Sequence, residues 1–209
     1  MKEQTIGLYL GSFDPIHTAH IDIPCKIKDH YNLKKIIFVP TGKSPVGRKF
    51  FASFSDRVNM IKNAIKAHEF FTVSTFENTS ENISFTIDTV CYFKKKFENS
   101  SLRIIMGEDN FCTFTSWHKY RDILSSANII VLSRDNIERY DKINTLKNYI
   151  EENINLFNQT KSGKIHFSAL YKSDISATAL REMIKQNESF KNFVSKENYE
   201  YIEKNGLYK

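Results

Sequence analysis

The chain has 209 residues, enough for one sizeable hydrophobic core, and its 41% hydrophobic content excludes a disordered or low-complexity chain. The net charge of +6 favours anionic partners, but the positive residues are dispersed and the compact run Lys94-Lys95-Lys96 reads as a solvated helix end, so no nucleic-acid polymer is expected. Cys25, Cys91 and Cys112 are odd in number and far apart, which excludes a disulfide framework or structural zinc site and favours small buried or partly buried side chains.

The N-terminal residues lack a secretory apolar region, and no apolar run is long enough to span a membrane. A cytoplasmic chain without a membrane partner is expected. In chain order, apolar runs at 6–10, 35–39, 70–74, 102–106, 127–132 and 164–167 read as strands. Helical segments alternate with them near 19–30, 55–67, 86–97 and 117–124. The Val58, Ile61, Ile65 spacing gives the second helix an apolar stripe for core packing. Pro24 cannot donate to the carbonyl of His20, so a kink or early irregularity is expected in the first helix. In the stretch 135–164, Tyr140, Ile143, Leu146 and Ile150 predict a surface helix, and 158–163 a turn; late helices are expected at 175–185 and 193–205. The alternation describes one α/β domain over residues 1–209 with a largely parallel sheet, whose ligands bind where strand ends feed into helices.

The first such exit carries Gly11-Ser12-Phe13-Asp14-Pro15-Ile16-His17-Thr18-Ala19-His20. Gly11 allows a tight turn or close approach of a phosphate, and the first amides of the next helix can donate to its oxygens. His17 and His20, three residues apart, can share one side of the first turn and stabilise an anionic transition state. Taken singly, either imidazole is equally served by a backbone carbonyl, and zinc lacks a third ligand. Asp14 reads as a structural acceptor that fixes the loop, because a carboxylate beside a phosphate is electrostatically costly. A second candidate is Ile175-Ser176-Ala177-Thr178-Ala179-Leu180-Arg181: hydroxyls at a helix start followed by a fixed cation, which serves equally as a helix cap with a surface arginine.

Together these segments resemble the nicotinate-nucleotide adenylyltransferase family of the nucleotidyltransferase superfamily. The first segment is similar to its small-residue, Phe, Asp-Pro and paired-histidine pattern, with Ala19 where glycine is usual, which lowers the expected backbone freedom. The second is similar to its Ile-Ser-x-Thr-x-x-Arg signature. Phe85-Thr86-Ile87-Asp88-Thr89-Val90 and Gly107-Glu108-Asp109-Asn110-Phe111 followed by Trp117 also match in order. The resemblance implies a Rossmann-like nucleotidyltransferase fold, with the parallel sheet flanked by helices. It implies ATP binding by Gly11, Ser12, Phe13, His17, His20, Ser176, Thr178 and Arg181, with His17, His20 and Arg181 catalytic. It assigns nicotinate mononucleotide to Thr86, Asp109 and Trp117, with Asp88 and Thr89 capping and orienting the helix. The nucleotide would carry Mg2+ as its counterion.

The family's Pro-Pro-His-Lys is replaced here by Lys43-Ser44-Pro45-Val46-Gly47-Arg48-Lys49, so Lys43, Arg48 and Lys49 are all candidates for a phosphate-facing cation. The implied reaction is adenylyl transfer from ATP to nicotinate mononucleotide. Nicotinamide-mononucleotide and phosphopantetheine adenylyltransferases and a non-catalytic nucleotide-binding module are the alternatives. The sequence leaves the oligomeric state open, a homo-oligomer included.

Overall fold

The computed structural model describes residues 4–44, 47, 49–78, 85–133, 144–169 and 175–209. Six strands form one sheet: β1 (Gln4–Gly11), β2 (Leu33–Pro40), β3 (Phe71–Val73), β4 (Ser100–Gly107), β5 (Asn128–Leu132) and β6 (Ile165–Ser168). Every pairing is parallel and the order is β3-β2-β1-β4-β5-β6. Parallel strands need covered crossovers, so both faces must be apolar. Alternation along β1 meets that demand: Leu8 and Leu10 enter one core with Ile104, Met106, Val131 and Phe93, while Tyr9 enters the other with Phe38, Ile105, Ile130 and Ile61.

The helices divide between these faces. α1 (Ala19–His30), α2 (Phe54–Ile65), α6 (Ile154–Gln159), α7 (Ala177–Lys185) and α8 (Lys196–Asn205) supply Ile23, Ile61, Phe157, Leu180 and Ile202 to the Tyr9 face. α3 (Thr86–Lys96), α4 (Glu108–Cys112) and α5 (Tyr120–Ser126) supply Val90, Phe111 and Ile123 to the Leu8 face. Val58, Ile61 and Ile65 are buried as their spacing required, and Lys94, Lys95 and Lys96 are exposed in the last turn of α3, where cations suit the helix dipole.

Several expectations need correction. α1 is one helix with Pro24 inside it and buried, so the proline does not end the helix. The predicted helix at 117–124 begins only at Tyr120: Trp117 is extended and Lys119 takes a left-handed conformation (φ 53°) before α5. The short α4 had no periodicity to reveal it. In the surface-helix stretch, Tyr140 and Ile143 lie outside the described residues. Beyond them, Asn144–Tyr149 forms a 3-10 turn, Leu146 is fully buried, and Ile150 bridges to Ile165 in parallel fashion. Pairing along the β6 edge has overridden the helical period there. Cys91 and Cys112 are exposed and Cys25 is partly buried, so two of the thiols sit on the surface instead of in the core.

Candidate active site

The strand order reverses between β1 and β4, the topological point at which open α/β sheets bind ligands, at the C-terminal ends of the strands. Gly11 and Gly107 end those two strands. Gly11 is needed for packing: a Cβ there would lie 2.9 Å from Cζ of Phe13, whose ring folds back over it. Phe13 reaches that position with φ 49° and is buried in edge-on contact with Tyr9 and His20. Its backbone, and not its ring, is what it can offer a ligand.

The carbonyls of this loop are tied back into the protein. Gly11 O accepts from Thr41 N–H at 2.9 Å and from the Thr41 hydroxyl at 3.2 Å. Ser12 O accepts from Nη1 of buried Arg57 at 2.8 Å, and Asp14 O accepts from Nη1 of Arg181 at 2.6 Å. Each engaged carbonyl is one fewer negative dipole available to repel a phosphate. The carboxylate of Asp14, itself buried, accepts from Phe51 N–H at 2.7 Å, Ala52 N–H at 3.1 Å and the Tyr208 hydroxyl at 2.8 Å. That is the structural acceptor role its neighbourhood called for. Burial and the facing Asp14 push the Tyr208 phenol far up, so it stays a donor.

The helix-start amides contribute less than the sequence suggested. Thr18 N–H donates to Phe193 O, and the amides of His20, Ile21 and Asp22 donate to carbonyls of the same turn. The two imidazoles lie side by side. The rings of His17 and His20 lie 3.7 Å apart, and His17 N–H donates to Nδ1 of His20 at 3.2 Å. Burial, reinforced by His17, holds the His20 pKa well below the usual histidine range. Neutral His20, with Nδ1 accepting, carries its proton on Nε2 and remains a donor. Ala19 is helical and buried without a positive φ, so the residue that departs from the family pattern needs no glycine.

Ser176 caps α7 by accepting from Ala179 N–H at 3.1 Å, and Nη2 of Arg181 donates to the Thr178 hydroxyl at 3.2 Å. Arg181 thereby joins the late motif to the first one across 167 positions. On the Leu8 face of the sheet, Thr86 opens α3, and Asp88 caps it by accepting from Phe85 N–H at 3.1 Å. Exposed Asp109 follows Gly107 on α4. Trp117 is half-buried against Phe114, its Nε1–H donating to the Thr113 hydroxyl at 3.3 Å. The ring of His118 lies 4.6 Å from that of Phe85, which brings the Trp117 segment beside the start of α3. Lys43 and Lys49 are exposed on the connection from β2 to α2, and Arg48 lies outside the described residues.

Sequence reasoning missed four residues. Arg57 supports Ser12 from a helix that reads as plain amphipathic, stacked on Phe50 and Phe54. Glu77, buried and with its pKa raised by that burial, accepts from Gly42 N–H at 3.3 Å and the Thr89 hydroxyl at 2.9 Å, linking the exit of β2 to α3. Phe51 and Tyr208 converge on Asp14. No local pattern marks any of them, since each acts across a tertiary contact. Among the described residues, no three His, Cys, Asp or Glu side chains come together as a metal-binding group.

A parallel sheet with this order, crowned by two histidines and an arginine at strand and helix ends, defines a nucleotide-handling α/β domain, and the cytidylyltransferase-like family model matches residues 8–183. An Aquifex aeolicus protein named "probable nicotinate-nucleotide adenylyltransferase" is 39% identical over 142 residues, covering 68% of this chain and 82% of the relative. A Legionella pneumophila protein of the same name is 31% identical over 98% of this chain and 99% of its own length. The chain belongs to the nicotinate-nucleotide adenylyltransferase family. The fold is shared with Plasmodium falciparum nicotinic acid mononucleotide adenylyltransferase, solved in complex with NaAD, at TM-score 0.75 and 20% identity over 99% of this chain and 98% of that one.

Proposed function

We propose that the chain transfers the adenylyl group of ATP to nicotinate mononucleotide, giving nicotinate adenine dinucleotide and pyrophosphate. The observation that carries this reading is the bond from Arg181 to the Asp14 carbonyl, which joins two phosphate-binding motifs from opposite ends of the sequence into one site. A phosphate oxygen of the mononucleotide attacks the α-phosphorus of ATP, the new P–O bond forms, and the bond to the bridging α–β oxygen breaks. The attacking phosphate is already ionised near neutral pH, so alignment and charge stabilisation replace general-base catalysis.

In this reading His17 and the Nε2–H of His20 support the α- and β-phosphate oxygens, and Arg181 receives the negative charge that builds on the leaving pyrophosphate. Ser176 and Thr178 line the same phosphates from the start of α7, and Gly11, Ser12 and Phe13 border them with backbone. Thr86, Asp109 and Trp117 hold the mononucleotide: Thr86 and its helix-start amides meet the pyridine carboxylate, Asp109 a sugar hydroxyl, and Trp117 the ring. Lys43, Arg48 or Lys49 supplies a further cation. Mg2+ enters with ATP as part of the substrate and neutralises phosphate charge.

Residues 1–209 act as a single nucleotidyltransferase domain, an assignment supported by Tyr208 closing onto Asp14. No helix among the described residues is long and apolar enough to cross a membrane. The free thiols and the use of ATP suit the cytoplasm. The test is a purified-protein assay with Mg-ATP and, separately, nicotinate mononucleotide, nicotinamide mononucleotide and phosphopantetheine. Pyrophosphate release fastest with the nicotinate substrate is expected; folded, ATP-binding protein inactive with all three overturns the reading.

A further inference from the structure

Phe51 is 70% exposed, and an aromatic ring left that far in water gains little from the hydrophobic effect. Its position has a different account. The ring lies against the guanidinium of Arg181, 4.3 Å from ring centroid to Cζ. The backbone of the same residue is fixed by the carboxylate of Asp14, which accepts its N–H at 2.7 Å while Tyr208 and Ala52 hold the other oxygen. Arg181 in turn donates to the carbonyl of Asp14 at 2.6 Å and to the Thr178 hydroxyl at 3.2 Å. The contacts close a circuit: Asp14 carboxylate, Phe51 backbone, Phe51 ring, Arg181, Asp14 carbonyl.

We infer that Phe51 is a positioning residue that preorganises Arg181 for the ATP phosphates. A cation–π contact uses the face of the aromatic ring and occupies none of the guanidinium's N–H donors, whereas phosphate oxygens are bound by those N–H edges. The two uses are compatible, so the ring fixes Arg181 without consuming the donors that phosphate needs. Holding a long side chain in its bound conformation lowers the ordering cost of binding.

The inference rests on the adenylyl-transfer reading only for the identity of the nucleotide, so its test measures binding as well as turnover. Mg-ATP affinity is measured by titration calorimetry for wild type, Phe51→Ala, Phe51→Leu and Phe51→Tyr, alongside steady-state rates and melting temperatures. Phe51→Ala and Phe51→Leu weaken ATP about fivefold at unchanged melting temperature, and Phe51→Tyr, which keeps the aromatic face, stays within about twofold of wild type. In an Arg181→Ala background, Phe51→Ala adds nothing further. Wild-type affinity in Phe51→Ala, full rescue by leucine, or additivity with Arg181→Ala overturns the inference. A wild type that binds ATP but turns over none of the three substrates overturns the reading and leaves the affinity comparison decisive; a wild type that binds no ATP overturns both.

Discussion

The amide of His17 donates to Nδ1 of His20, and this bond decides which nitrogen of His20 carries the proton. A backbone N–H can only donate, so Nδ1 must accept and the proton must sit on Nε2. Replacing His20 with Ala removes that donor and is expected to lower kcat about a hundredfold or more, with a much smaller effect on folding stability. His20→Gln, which offers an amide N–H near the Nε2 position, recovers part of the loss. Steady-state kinetics with thermal melts check both; unchanged turnover in His20→Ala rejects the role.

Arg181→Lys keeps the positive charge but gives up the planar fork that reaches Asp14 O and the Thr178 hydroxyl together. kcat/KM for ATP is expected to fall about tenfold, the equivalent of one charge-assisted hydrogen bond. A variant as active as wild type would show that charge alone suffices.

Stability should fall on mild acidification. His166 is buried, its Nδ1 2.8 Å from the Tyr31 hydroxyl, and burial holds its pKa below the usual 6.5, as it does for His20. Below pH 6.5 the unfolded chain takes up protons that the folded chain refuses, so stability present above that pH is lost as the pH falls towards the folded values. Thermal melts between pH 7.5 and 5 are expected to show a declining midpoint. His166→Gln, which cannot titrate, should flatten the decline, and an identical slope would remove His166 from the account.

Two glycines make a matched pair. A Cβ on Gly42 would lie 2.0 Å from the carbonyl oxygen of Glu77, a backbone atom that cannot yield cheaply, whereas a Cβ on Gly107 meets nothing within 4 Å. Gly42→Ala is expected to destabilise by about 2 kcal/mol or more, lowering the midpoint by at least about 4 °C. Gly107→Ala should melt like wild type. Equal midpoints for the two would contradict the close approach of Gly42 to Glu77.

What could be read from the sequence was what repeats locally or matches a pattern. Leu8, Leu10 and their neighbours announced β1 because both faces of a central parallel strand must be apolar, and Ser176 announced the start of α7 because serine recurs as a helix cap. Leu146 and Ile150 misled, since the same apolar residues that suit a helical face also suit a buried 3-10 turn and a strand-edge bridge. The Trp117 segment was displaced for a related reason: Lys119 in a left-handed conformation postpones the helix, and lysine carries no sign of it. Phe51, Arg57, Glu77 and Tyr208 were illegible because their roles are set by residues 12 to 194 positions away.

The longest of those spans carries a consequence of its own. Asp14 organises a turn near the start of the chain, yet one of its hydrogen bonds comes from Tyr208, after α8 has been closed by Gly206 in a left-handed cap. The earliest motif in sequence is therefore completed by the last residues of the chain, a contact of high sequence separation. The turn at Asp14 thus needs both ends of the chain to be closed, however complete the sheet.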